Sequence, residues 1–142
     1  MNFQEFPLHE RLYRALDSAG FLTPTPIQEA ALPVALDGHD IVGTAQTGTG
    51  KTAAFVLPIL HRLLNGPRNT RKTRALILTP TRELAEQVHN AIRLLGKHTN
   101  LRSAPVYGGV GMLAQERALR NGTEILVACP GRLLDHAARA AR

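Results

Sequence analysis

The stretch Ala45-Gln46-Thr47-Gly48-Thr49-Gly50-Lys51-Thr52 constrains this chain more than any other. Glycines at 48 and 50 permit backbone angles barred to other residues and let an anion approach the main chain. Residues 40–44 read as a strand entering this loop, and residues 52–64 as the helix leaving it. In that context the loop turns successive N–H groups inward at the positive end of a helix dipole, which makes a phosphate cradle. Lys51 would reach the β- and γ-phosphates as a point charge. The Thr52 hydroxyl would take one place on a Mg²⁺ ion, which binds few protein oxygens and keeps waters and phosphate oxygens as its other ligands. Ala45 departs from the general pattern, which opens with glycine.

The rest of the chain repeats that alternation of strand and helix. Residues 8–19 carry Leu8, Leu12, Ala15, Leu16 and Ala19 on one helical face, and Gly20 follows as a cap. Residues 26–36 read as a short helix interrupted at Pro33. The helix after the loop is apolar on most sides, with Pro58 inside it. Residues 75–79 form an unbroken apolar run, as a strand buried in a parallel sheet does. Further strands are expected at 103–107 and 124–129, with helices at 84–95, at 112–120 and from Leu133. Strand-helix four times over is the pattern of an α/β domain with a doubly wound parallel sheet. Ligands on such sheets lie at the carboxyl ends of the strands.

Four polar motifs fall at those ends or just upstream. Thr23-Pro24-Thr25-Pro26-Ile27-Gln28 is a rigid loop presenting a glutamine, whose amide can pair with adenine N6 and N7; such loops also serve as plain connections. Pro80-Thr81-Arg82-Glu83 opens a helix at which Thr81 can cap and Arg82 can hold a backbone phosphate, or Arg82 and Glu83 pair on the surface. Gly108-Gly109 permits close approach of another backbone or makes a simple turn. Pro130-Gly131-Arg132 ends the last strand.

Charge fits a polyanionic partner: 17 Lys and Arg against 11 acids give a net charge of +6. Arginine predominates, and its planar fork suits phosphate recognition. The basic segment 65–74 could touch nucleic acid or be a solvated connection. Cys129 is the single cysteine, so neither a disulfide framework nor a thiolate metal site is expected. The histidines show no ligand spacing. Without a signal-peptide pattern or an apolar run of membrane-spanning length, a soluble cytoplasmic protein with no membrane partner is expected.

Taken in order, these motifs resemble the first RecA-like domain of a DEAD-box ATP-dependent RNA helicase, a P-loop NTPase fold, along all 142 residues. Gly20-Phe21 and Pro24-Thr25-Pro26-Ile27-Gln28 match that family's Q motif, and Phe3 matches its isolated upstream aromatic. The family's own phosphate loop begins with Ala, so Ala45 ceases to be an exception. Residues 80–85 match motif Ia, Gly108-Gly109 the GG motif, and Pro130-Gly131-Arg132 motif Ib, with Cys129 where the family usually has Thr. The resemblance implies that Gln28 reads adenine with Phe3 and Phe21 near the base, and that Ala45, Gln46, Thr47, Gly48, Thr49, Gly50, Lys51 and Thr52 bind ATP with Mg²⁺ on Thr52. Lys51 and Thr52 would be the catalytic members of this set. Pro80, Thr81, Arg82, Gly108, Gly109, Pro130, Gly131 and Arg132 would line a path for single-stranded RNA, or for RNA opened from a duplex. Residues 1–29 would form the Q-motif region and residues 30–142 the N-terminal portion of the RecA-like domain.

The Asp-Glu-Ala-Asp box, the Ser-Ala-Thr motif and the second RecA-like domain, whose arginines complete the ATP site in the family, do not occur in these residues. The expectation is a domain cut before its acidic box, inactive by itself, from a longer helicase. A non-catalytic nucleotide- and RNA-binding module is the alternative.

Overall fold

In the computed structural model, residues 1–48, 50–67, 72–109 and 111–140 are described. They form two compact units. The first comprises residues 1–68 and 91–100, and the second residues 69–90 and 101–142.

The first unit is helical. A 3-10 turn at Phe3–Glu5 opens it, held by a reciprocal cap: Asn2 Oδ1 accepts the Gln4 N–H at 2.9 Å, and Glu5 Oε2 accepts the Asn2 N–H at 3.2 Å. Helix α1 (Glu10–Ser18) buries Leu12, Ala15 and Leu16. It stops at Gly20, whose φ of 78° is left-handed; the Phe21 N–H then reaches back to the Leu16 carbonyl at 2.9 Å. Helix α2 (Pro26–Leu36) packs on α3 (Lys51–Asn65), whose Val56, Leu57 and Leu60 are fully enclosed.

Two expectations fail here. Helix α2 runs through Pro33 without interruption. The bond Pro33 cannot donate would have ended on the carbonyl of Glu29, an exposed residue whose oxygen water can satisfy. Residues 40–44 are not a strand: no neighbour pairs with them among the described residues, and Val42 is 99% exposed. An apolar run becomes a strand only where another backbone completes its hydrogen bonds.

The second unit holds the sheet. Strands β1 (Ala75–Leu78), β2 (Ser103–Val106) and β3 (Ile125–Ala128) are all parallel, in the order β1-β3-β2. Central β3 is buried at every position, as its unbroken apolar run requires. Leu126 and Ala128 pair in register with Ala104 and Val106, and Ala118, Leu119 and Leu133 cover that face. The α/β class with a parallel sheet is as expected, with three strands among the described residues rather than the four expected. Strand β1 departs from expectation. It is an edge strand ending at Leu78, and Leu76 and Leu78 are 50% and 57% exposed. Helices α4 (Arg82–Leu95), α5 (Met112–Arg120) and α6 (Pro130–Ala140) complete the elements. The last begins three residues before Leu133, with its proline at the first helical position, where a missing N–H costs nothing.

Candidate functional sites

The first unit contains the phosphate loop. Gly48 and Gly50 both have φ of 84°, and Gly50 is the residue that opens α3. No side chain among the described residues caps that helix, and Lys51 at its start is exposed. Thr52 is partly exposed, and Thr49 lies outside the described residues.

Gln28 is 2% exposed and sits against this loop. Its Oε1 accepts the Thr25 N–H at 2.9 Å, and its Nε2 donates to the Gly50 carbonyl at 3.1 Å. Among the described residues one N–H and one lone pair of the amide are left unmatched. A larger residue at Gly50 would displace its neighbours: a Cβ there would lie 2.4 Å from Gln28 Nε2 and 3.0 Å from Thr25 Oγ1. The two motifs that sequence spacing separates by 22 residues are thus in direct contact.

Phe3 is buried, its ring 6.2 Å from that of Phe6 and 6.0 Å from that of Phe21. Phe21 is partly exposed, so it is the ring of this cluster with surface left to offer a base. Ala45 is partly exposed, and Gln46 and Thr47 are exposed.

A histidine pair anchors the same unit. His61 Nδ1 on α3 accepts the His9 N–H at 3.0 Å, and His9 Nδ1 accepts the Arg11 N–H at 3.2 Å as the cap of α1. Burial, and then the proximity of His9, holds the His61 imidazole below the ordinary histidine range. Its folded pKa is thus lower than its unfolded one. As pH falls below about 6.5, the unfolded chain binds a proton that the folded unit refuses, and stability falls until the folded value is passed. NMR titration is expected to show the His61 ring titrating below the ordinary range, with the His9 amide losing exchange protection in step. An unshifted His61 with a protected His9 amide at low pH contradicts this.

The second unit assembles the other motifs. Thr81 caps α4, its hydroxyl accepting the Leu84 N–H at 3.2 Å. Arg82 pairs with Glu86, at 3.7 Å, and not with Glu83. Its guanidinium lies 5.0 Å from the centroid of the Tyr107 ring, and the Tyr107 hydroxyl donates to Glu86 Oε1 at 2.7 Å. That hydrogen bond, with burial second, holds the Tyr107 hydroxyl above the usual phenol range. Such a half-exposed ion pair contributes little by itself; stacking on the ring and the shared carboxylate fix the geometry.

Two arginine tips meet the glycines. A Cβ on Gly109, whose φ is 85°, would lie 3.0 Å from Arg82 Nη1, and one on Gly108 would lie 3.9 Å from Arg132 Nη2. Pro80, Thr81, Gly108, Gly109, Pro130 and Gly131 are all exposed. Arg132 hangs from the first turn of α6, its Nε 4.0 Å from Asp135 and its Nη1 3.4 Å from Gln115. Cys129 is partly buried, its sulfur 3.8 Å from the Thr79 hydroxyl, so it is not the fully enclosed core residue its apolar run implies. The basic segment lies partly outside the described residues, at 68–71. Among those described, no helix is long and apolar enough to cross a membrane.

Sequence spacing did not single out Tyr107, Glu86, Gln115 or His136. Tyr107 carries a signal in its position directly before the glycine pair. The other three carry none, since their roles arise only from packing.

Comparison with known proteins covers both units. Residues 25–142 match the family model described as DEAD/DEAH box helicase. The chain is 51% identical over 135 residues to DEAD-box ATP-dependent RNA helicase 28 of Oryza sativa subsp. japonica, covering 95% of this chain and 17% of that protein. It is 49% identical over 136 residues to the human probable ATP-dependent RNA helicase DDX27, with 96% and 18% covered. Among solved structures, the RNA helicase Prp28 from Chaetomium thermophilum bound to ADP superposes with a TM-score of 0.87 at 42% identity, covering 97% of this chain and 34% of that one. The chain thus spans about a sixth of the length of the curated relatives it matches.

Proposed function

This chain belongs to the DEAD/DEAH box helicase family, and from that premise we propose that it is the ATP- and RNA-binding portion of an ATP-dependent RNA helicase that opens short RNA duplexes. Residues 1–29 would supply the base-reading region, and residues 30–142 the N-terminal portion of the RecA-like domain. The observation that carries the reading is the placement of the Arg82 tip by Gly109 and of the Arg132 tip by Gly108, two cations beside a stretch without side chains. Backbone phosphates fit such a place, and contacts of that kind position a strand without reading its sequence.

On the nucleotide side, Gly48, Gly50 and the first N–H groups of α3 would hold the phosphates, with Lys51 neutralising them. The Thr52 hydroxyl would ligate the accompanying Mg²⁺. Bound ATP would supply the free energy of the cycle. The free N–H and lone pair of Gln28 would select adenine, with Phe21 against the base and Phe3 supporting Phe21. A second RecA-like domain would be the partner that completes the site. The alternative is a binding module without turnover; among the described residues the strands run at their C-terminal ends into Thr79-Pro80, Tyr107-Gly108 and Cys129-Pro130.

The test is RNA affinity against salt. Arg82→Ala and Arg132→Ala are each expected to weaken single-stranded RNA binding about equally for unrelated sequences and to lower the salt slope by about 0.7. A loss confined to one sequence would mean base readout and would refute the backbone reading.

A further inference from the structure

Gln115 lies on α5, outside every motif considered so far, and is 7% exposed. Its amide orientation is fixed by its neighbours. The Tyr107 carbonyl can only accept, so Gln115 Nε2 must face it, at 2.8 Å. Oε1 then faces α6, where it lies 2.8 Å from His136 Nε2 and 3.4 Å from Arg132 Nη1. His136 is 6% exposed; burial, then the nearby Arg132, holds it below the ordinary histidine range. Since Oε1 only accepts, His136 carries its proton on Nε2. One buried side chain therefore joins the residue before Gly108-Gly109 to the arginine of the last motif.

We infer that Gln115 is a positioning residue for RNA: it holds the Arg132 guanidinium beside Gly108 and fixes the main chain at Tyr107, on whose ring Arg82 rests. An arginine has much rotamer freedom to lose on gripping a phosphate. Here that loss is taken on folding: the Arg132 side chain is 15% exposed where that of Arg82 is 46%. Asp135 on one side and Gln115 on the other set its direction, and Gln115, being neutral, does so without competing as an anion with the RNA phosphate. The alternative is that Gln115 only satisfies buried polar groups. This inference rests on the backbone-binding reading of Arg132.

A double-mutant cycle in the 142-residue chain separates the possibilities. Gln115→Leu keeps the side-chain volume and removes both hydrogen-bonding ends. It should weaken binding of single-stranded RNA about tenfold, near the worth of one charge-assisted hydrogen bond, and lower the salt slope as Arg132→Ala does. In the Arg132→Ala background it should leave affinity unchanged. Equal losses in both backgrounds, or lowered stability with RNA affinity intact, would overturn the inference while leaving the RNA reading standing. No effect of Arg132→Ala on RNA binding would instead remove the reading beneath it. A measurement on the unmodified chain guards against a variant that does not fold. The Arg132 guanidinium N–H groups should exchange with water more slowly than those of Arg82, and equal rates would count against the inference.

Discussion

The 142-residue chain is expected to release no phosphate from MgATP above background, with or without RNA. Hydrolysis needs a carboxylate that holds the metal and orients the attacking water, together with positive charge on the γ-phosphate. The phosphate loop offers Lys51, the Thr52 hydroxyl and backbone N–H groups. Among the described residues no carboxylate directly follows the C-terminal end of a strand, and the buried Glu124 precedes β3 at its other end, its Oε1 3.4 Å from the Arg102 N–H. An arginine delivered by a partner domain is by itself worth roughly 10³- to 10⁵-fold in turnover, so a site without it should fall at least that far below a complete one. Phosphate release measured with saturating MgATP and single-stranded RNA checks this. RNA-stimulated turnover would show that the chain supplies its own metal-holding carboxylate, and would remove the case for a binding module.

Gly50→Ala is expected to cost nucleotide affinity heavily for a single methyl group. Two separate penalties meet at this position. A φ of 84° is left-handed and strained for a residue with a Cβ. The added carbon would also fall 2.4 Å from Gln28 Nε2, a distance no real contact has. Either the loop leaves its left-handed turn or Gln28 moves away, and the second outcome breaks its bond to the Gly50 carbonyl. Strain of about 1–3 kcal/mol corresponds to roughly a five- to hundredfold loss of affinity. The loss should appear for ATP and ADP alike, because the loop serves all the phosphates. Gly48→Ala meets the same φ but open space, so it should lose less. Titration with a fluorescent adenine nucleotide measures both. Equal losses at the two glycines would mean that the contact with Gln28 contributes nothing.

What could be read from the sequence was local chemistry. The phosphate loop, Thr81 as a helix cap and the glycine pair each follow from residues within a few positions of one another. Central β3 also follows, because a strand flanked on both sides must be apolar throughout. Residues 40–44 carry the β-branched pair Ile41-Val42 and yet form no strand, since strand identity depends on neighbours that a short segment does not supply. Pro33 shows the reverse error: a proline removes one helical hydrogen bond and crowds the carbonyl four residues back, and α2 nevertheless continues through it. Gln115 and His136 were invisible for a third reason. A buried polar node has no period and no local pattern, and its meaning lies in which three segments it joins.

The half-open face of β1 has a kinetic consequence. Leu76 and Leu78 project from one face of a strand that, among the described residues, has a partner on one side alone. Such an edge accepts whichever strand arrives first. A covering strand on the same polypeptide arrives by a first-order process, at a rate independent of concentration. One from another copy arrives by a second-order process, whose rate rises with every added molecule. Dilution therefore decides the outcome of that race, and the yield of single molecules should depend on how crowded the chain is when it folds.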